Sequence, residues 1–146
     1  MSKTRNGTIA FWCLCAAALV VAVVGGSVIA QVTQGKTRPM KTSHWMAGVM
    51  KTSSGALRKG LSSTPADDKA WKQLEISAAL LNEASYVLMA DGRCPDAVWA
   101  NAVEKTLREG SASLLKAIEA KDVAAAKTAL SATTKSCKEC HTKHRS

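Results

Sequence analysis

The sequence predicts an all-α fold: an antiparallel, left-handed four-helix bundle preceded by an N-terminal hydrophobic segment. Three observations predict it. Apolar residues recur at steps of three and four over most of residues 39–146, and no stretch alternates over strand length. Prolines and aspartates stand where the periodic segments begin, and glycines or short polar links stand where they end. Four such segments of about 20 residues, joined by short links, suit helices whose chain neighbours run antiparallel.

The first element is N-terminal and apolar. MSKTRNGT carries Lys3 and Arg5 and no acid, and the next 22 residues, Ile9 to Ala30, carry no charge. A basic start, an apolar run and an exit with Val28 and Ala30 at cleavage-site spacing suit a secretory signal. The same run is long enough to cross a bilayer as an uncleaved anchor. Both alternatives export the remainder and predict a periplasmic location, either soluble or tethered by residues 9–30. Residues 31–38 then form a linker, and residues 39–146 the helical domain.

The first helical segment runs from about Pro39 to Lys59, with Gly60 in the place of a C-terminal cap. Met40, His44, Ala47, Met50, Ser54, Leu57 and Leu61 form its inward stripe, and His44 belongs to that stripe. The second segment begins in STPADDKAW, with Thr64 as cap, Pro65 in the first turn and Asp67 three after the cap. Its stripe is Trp71, Leu74, Ala78, Leu81, Ser85 and Leu88, and it ends near Asp91-Gly92. The third opens at RCPDAVW, with Pro95 near its first turn. Its stripe is Trp99, Val103, Leu107, Gly110, Leu114 and Ile118. The fourth takes Asp122 as cap and places Val123, Ala126, Leu130, Thr133, Cys137 and His141 on its inner face. These stripes are rich in alanine, and Tyr86 is the sole Phe or Tyr beyond residue 30, so an apolar cofactor would supply missing core volume.

Charge narrows the partners. Beyond residue 30 the chain has 18 Lys and Arg against 11 Asp and Glu. The cations are scattered along the helices rather than clustered, so they suggest a solvated basic surface and an acidic protein partner, not nucleic acid. Contact with a membrane is expected only through the N-terminal segment.

Of the five cysteines, Cys13 and Cys15 lie inside the apolar run, leaving Cys94, Cys137 and Cys140. An odd number does not make a disulfide framework. Cys94 precedes a helix start, where a thiolate is favoured; packing in a turn, an intermolecular disulfide and redox reactivity are its possible roles.

The chemistry concentrates in the closing SCKECHTKHRS. Cys137-Lys138-Glu139-Cys140-His141 is C-x-x-C-H, the attachment pattern of c-type haem. Each thiol adds to one vinyl group, and positions i, i+3 and i+4 share one helix face. The imidazole of His141 then lies beneath the iron as proximal ligand. Zinc held by Cys137, Cys140, His141 and His144 is an alternative, but structural zinc sites draw ligand pairs from separated elements. A thioredoxin-like redox pair would need a βαβ setting that the pattern lacks. His144 is expected to be exposed. No carboxylate pair, Ser/His/Asp set or phosphate loop suggests hydrolysis or group transfer. The chain therefore reads as an electron carrier or haem-binding protein, not an enzyme.

An exported four-helix pattern with CxxCH on its last helix resembles the class II c-type cytochromes, the family that includes cytochrome c prime. The resemblance covers roughly Pro39 to Arg145, and its most specific elements are the motif's terminal position and a basic residue four after the histidine, Arg145. It implies one covalent haem c, a place for Arg145 beside the proximal ring and, commonly, a homodimer. A solvated tail position for Arg145 remains the alternative. The resemblance also implies that the first helix faces the distal side of the haem. Counting back from Lys59-Gly60, which resembles a Lys-Gly ending that helix in the family, places His44 at the distal position, a departure from the family's usual residue. Met40 and Met50 are the alternative ligands, and an open or water-bound iron is the third possibility. Bis-histidine ligation gives a low potential and methionine a higher one, whereas an open site favours small gases such as nitric oxide. Trp45, Trp71 and Trp99 are candidates to line the haem pocket, with ordinary core packing as the alternative. The expected function is periplasmic electron transfer to or from a redox partner protein. Gas binding or sensing is the second expectation, and a structural role with a terminal zinc or disulfide site the third.

Overall fold

Aspartates start three of the four helices in the computed structural model, which describes residues 35–145. Asp67, Asp96 and Asp122 hold extended backbone, and each carboxylate accepts an N–H three residues on, from Ala70, Trp99 and Ala125 at 2.7, 3.0 and 2.9 Å. Each bond satisfies one of the amides that a helix start leaves without a partner. The first helix, α1, spans residues 42–60 and has no side-chain cap. Then come α2, Asp68–Met89, α3, residues 97–119, and α4, Val123–His144. Every described helix belongs to one of these four segments, so the fold is all-α.

Two boundaries correct the sequence expectation. The second helix is capped by Asp67 rather than Thr64, and Pro65 lies before it in the link. Gly60 is the last residue of α1 and does not take the left-handed backbone of a glycine cap. Its reason is proximity: a Cβ there would lie 2.5 Å from Cδ2 of Leu74 on α2. The left-handed positions fall instead at Asp91, Gly92 and Lys121, with φ of 60°, 73° and 54°. At Lys121 the end of α3 closes in a Schellman turn, with the amides of Lys121 and Asp122 donating to Ile118 and Ala117 carbonyls at 2.9 Å.

Two core clusters divide the interior. One joins Leu57 and Leu61 of α1 and its end to Trp71, Leu74, Ala78 and Leu81 of α2, and to residues of α3 and α4 that include Leu114, Ile118 and Leu130. The other joins Leu88 of α2, Trp99, Ala102, Val103 and Leu107 of α3, and Cys140 of α4, with Met46 and Met50 of α1 packed against it. Each helix thus enters one cluster near one end and the other cluster near its opposite end.

Both α1 and α3 contain a π-helical turn. Met46–Met50 interrupts α1, and Asn101–Arg108 interrupts α3. An i→i+5 pattern underwinds the helix and rotates the residues before it relative to those after it. Both turns adjoin the second cluster.

The segment before α1 is tied down. Asp91, in the α2–α3 turn, accepts from Thr37 N and Oγ1 at 2.9 and 2.8 Å and from Arg38 N at 2.9 Å, while Lys36 N donates to its carbonyl. Arg93 is 1% exposed; its guanidinium donates to the Met40 carbonyl at 2.9 Å and faces Asp91 Oδ2 at 3.6 Å. The clamped residues 36–38 are the end of the expected linker, whose residues 31–34 lie outside the described residues. The expected signal or anchor, residues 9–30, lies outside the described residues. Among the described residues no helix is long and apolar enough to cross a membrane.

Candidate functional site

The last two turns of α4 line a cavity of about 680 Å³. That volume lies within the range of cofactor and ligand pockets. From α4 it takes Ser136, Cys137, Cys140, His141 and His144, and just beyond the helix Arg145. The facing wall is α1, where Thr42, Ser43, Met46, Ala47 and Met50 contribute, with Lys51, Ser54 and Arg58 further along. Its floor is Leu88 of α2 and Trp99, Ala102, Val103 and Leu107 of α3.

The motif's three residues therefore share one cavity, as helix spacing requires. Cys140 is buried and Cys137 half-buried, and all three described cysteines are free. Burial pushes the Cys140 thiol up to about 11, with the neighbouring Cys137 and Asp96 adding to the effect, so Cys140 stands as a neutral S–H. His141 is also half-buried. Burial, and then the charge of Arg145, hold its imidazole below the usual histidine range, so it is neutral and has a lone pair to offer a metal. Arg145 is near enough to act on His141 and lines the same cavity.

A network fixes this end of α4. Lys143 Nζ pairs with Asp96 Oδ2 at 2.6 Å, and His144 Nε2 lies 3.2 Å from Asp96 Oδ1. The His144 ring meets Trp99 edge-on at 5.5 Å between centroids, and the Trp99 indole donates to the Leu88 carbonyl at 2.9 Å. Lys143, followed by the Trp99 amide, holds the Asp96 carboxyl well below the usual carboxylate range. His144 was expected to be exposed, but its side chain is only 5% exposed. No local pattern announces this, because the partners that bury it lie 48 and 45 residues earlier in the chain.

The distal expectations fare differently. His44 is exposed and is not part of the cavity wall. Met40 is 39% exposed and is also absent from it. The underwound turn at Met46–Met50 accounts for the change: it alters the phase between His44 and the Leu57–Leu61 end of the helix on which the stripe was drawn. Met50 does line the cavity, as does Met46, which the stripe had omitted. Of the tryptophans, Trp99 lines the cavity, Trp71 belongs to the other core cluster, and Trp45 is half-buried outside the wall. Cys94 packs against the second cluster with Sγ 3.5 Å from the Asp96 carbonyl, the geometry of a residue packed in a turn.

The cavity suits a haem on two counts. Two thiols and an imidazole open onto it from one helix face, the donor set of c-type attachment. Its wall mixes an apolar body with cations and contains no carboxylate. Among the described residues no three His, Cys, Asp or Glu side chains converge as metal ligands, which is the geometry a zinc site would need. No protein-family model, curated protein or solved structure matches this chain.

Proposed function

We propose that the chain is an exported monohaem c-type cytochrome that transfers electrons in the periplasm. The supporting observation is the convergence of Cys137, Cys140 and His141 on one 680 Å³ cavity. In this proposal the four helices form the antiparallel left-handed bundle of the class II type, with α4 carrying the haem. Cys137 and Cys140 hold the macrocycle by thioethers, and neutral His141 is the proximal ligand. A bound haem supplies an iron that changes oxidation state by one electron. The protein's part is to fix that iron and shield it from water. Asp96, through Lys143 and His144, holds the attachment turn; Trp99, Leu88 and Val103 form a dry floor; Met50 and Met46 face the site from the distal wall. The basic surface suits an acidic redox partner. Exposed Ile76 and Leu80, one turn apart on α2, suit the homodimer that the resemblance implies.

A second reading keeps the haem and leaves the sixth position open to a diatomic gas. The α1 wall favours it, because His44 lies exposed outside the cavity and leaves that wall without a histidine to ligate the iron. One set of absorbance spectra, ferric and ferrous, with and without carbon monoxide, tests both readings. Electron transfer with a protein ligand predicts a six-coordinate low-spin haem that carbon monoxide leaves unchanged. A spectrum altered by carbon monoxide favours gas binding, and a protein carrying no covalent haem refutes both.

A further inference from the structure

The charge on the cavity wall is one-sided. From α1 it receives Lys51 and Arg58, and from the end of α4 Arg145, together with His141 and His144; α2 and α3 contribute no charged group, and there is no Asp or Glu at all. Lys51 and Arg58 are seven residues apart and so lie two turns apart on one face of α1, with Ser54 between them on the same wall. Elsewhere some cations are matched, Lys72, Lys121 and Lys143 each holding a carboxylate at 2.6 Å and Arg93 and Arg108 each having one at 3.6 Å, and others are not; what sets the cavity wall apart is that its cations share one hollow without any carboxylate. Among the described residues Lys51, Arg58 and Arg145 form no ion pair. Cations that line one partly apolar hollow without a carboxylate favour an anion placed among them.

We propose that Lys51 and Arg58 bind the two propionate carboxylates of the haem. The assignment rests on the haem reading above and adds to it the residues that hold the cofactor's acidic edge. The division of labour follows from chemistry. Thioethers secure the vinyl-bearing part of the macrocycle to α4. The propionates leave from a different edge and need cations from another element, and α1 supplies them. Arg145 is already committed beside His141, where its charge acts on the imidazole. Arg58 offers a planar fork that matches a carboxylate in two hydrogen bonds, and Lys51 a point charge on a flexible stem.

The test uses the purified holoprotein, whose haem stays attached by the cysteines whatever happens to its propionates. Lys51→Met and Arg58→Met, singly and together, remove charge while keeping bulk; Lys116→Met, outside the cavity, is the control. The midpoint potential is followed by spectroelectrochemical titration across pH. A nearby cation favours the less positive ferrous haem and keeps the propionates ionised. Each cavity variant therefore lowers the potential, the double variant lowers it furthest, and the pH-dependent limb moves up by about one pH unit. Lys116→Met changes neither, and Lys51→Arg and Arg58→Lys restore both. Wild-type potentials and limbs in a haem-loaded Met variant overturn the assignment, as does an equal shift in the control. If the Met variants accumulate no haem, the wild-type infrared redox difference spectrum at about pH 6 decides: ionised carboxylate bands support the assignment and a protonated acid band overturns it. A slower reaction with an acidic partner at unchanged potential also overturns it and gives these cations to docking. A wild-type chain with no covalent haem fails the parent reading instead.

Discussion

Gly110 and Gly55 should respond to the same substitution with opposite signs. Both lie inside helices, where glycine costs about 1 kcal/mol relative to alanine. Around Gly55 of α1 there is nothing within 4 Å of an added Cβ, so Gly55→Ala should stabilise the protein by about that amount. Gly110 of α3 faces α4. A Cβ there would lie 2.8 Å from Thr133 Oγ1, 3.1 Å from Thr133 Cα and 3.3 Å from Thr133 N. The last two atoms belong to helix backbone and cannot swing aside. Forcing a methyl into a packed contact costs about 1–3 kcal/mol, which outweighs the gain in helix propensity, so Gly110→Ala should destabilise by about 1 kcal/mol net. Urea denaturation followed by far-ultraviolet circular dichroism reads both. The midpoint should rise for Gly55→Ala and fall for Gly110→Ala, with the slope unchanged in each. A midpoint that rises in both variants would refute the close α3–α4 crossing. That crossing bears on the proposed site because Thr133 lies one turn before Ser136 and Cys137, so it sets how far α4 stands from the cavity floor.

Three further outcomes follow. His44→Ala should leave the spin state of the haem unchanged, while replacing both Met46 and Met50 by Ala should convert a low-spin spectrum to high-spin; the reverse pattern in absorbance would return His44 to the distal position. Asp91→Asn keeps a side chain that tolerates the left-handed φ of 60° but loses the charge that the Arg38 and Thr37 donors and Arg93 favour. Because these partners depress the folded-state pKa, Asp91 contributes stability above the unfolded carboxylate range of about pH 4 and loses it as pH falls through the folded value. The melting temperature of the variant should therefore be lower at pH 7, and its deficit should shrink towards about pH 2; a deficit constant across pH refutes the ionic role. Asp96→Ala removes the α3 cap and both partners of the α4 end, and should lower the melting temperature by several degrees; an unchanged melt in calorimetry would show that the network holds nothing.

The helices were legible in the sequence because their signals are local. Period-3.6 stripes located all four, and Asp122 could be read as a cap because no competitor stands near it. At the second helix Thr64, Asp67 and Asp68 all had the right chemistry, and only the extended backbone at Asp67 decides among them. The CxxCH constellation was legible for the same reason, since one helical turn brings Cys137, Cys140 and His141 to one face. What escaped is nonlocal or unpatterned. A π turn has no composition signature, so the stripe was extended straight through Met46–Met50 and picked His44 in place of Met46. His144 and Arg93 are buried by partners reached only through tertiary folding: Asp96 and Trp99 for the first, the Met40 carbonyl for the second.

The motif's place in the last turns of α4 poses a mechanical problem that the structure answers, because helix ends fray. Here one carboxylate ties both helices, beside the Trp99–His144 ring contact and the Thr106–Glu139 hydrogen bond. Asp96 caps α3 through the Trp99 amide and takes Lys143 and His144 from α4. The start of the floor helix and the end of the attachment helix therefore share that anchor. The two cores complete the logic. The cluster around Leu57, Leu74, Leu114 and Ile118 is filled by side chains alone. The cluster around Leu88, Trp99 and Cys140 borders the cavity and borrows methionines from an underwound turn. In the proposed holoprotein the first core fixes the helix crossings, and the haem completes the second. Anchoring α4 through side chains leaves the groove between α1 and α4 open, which is what a large flat group needs in order to reach two thiols and an imidazole near the end of α4.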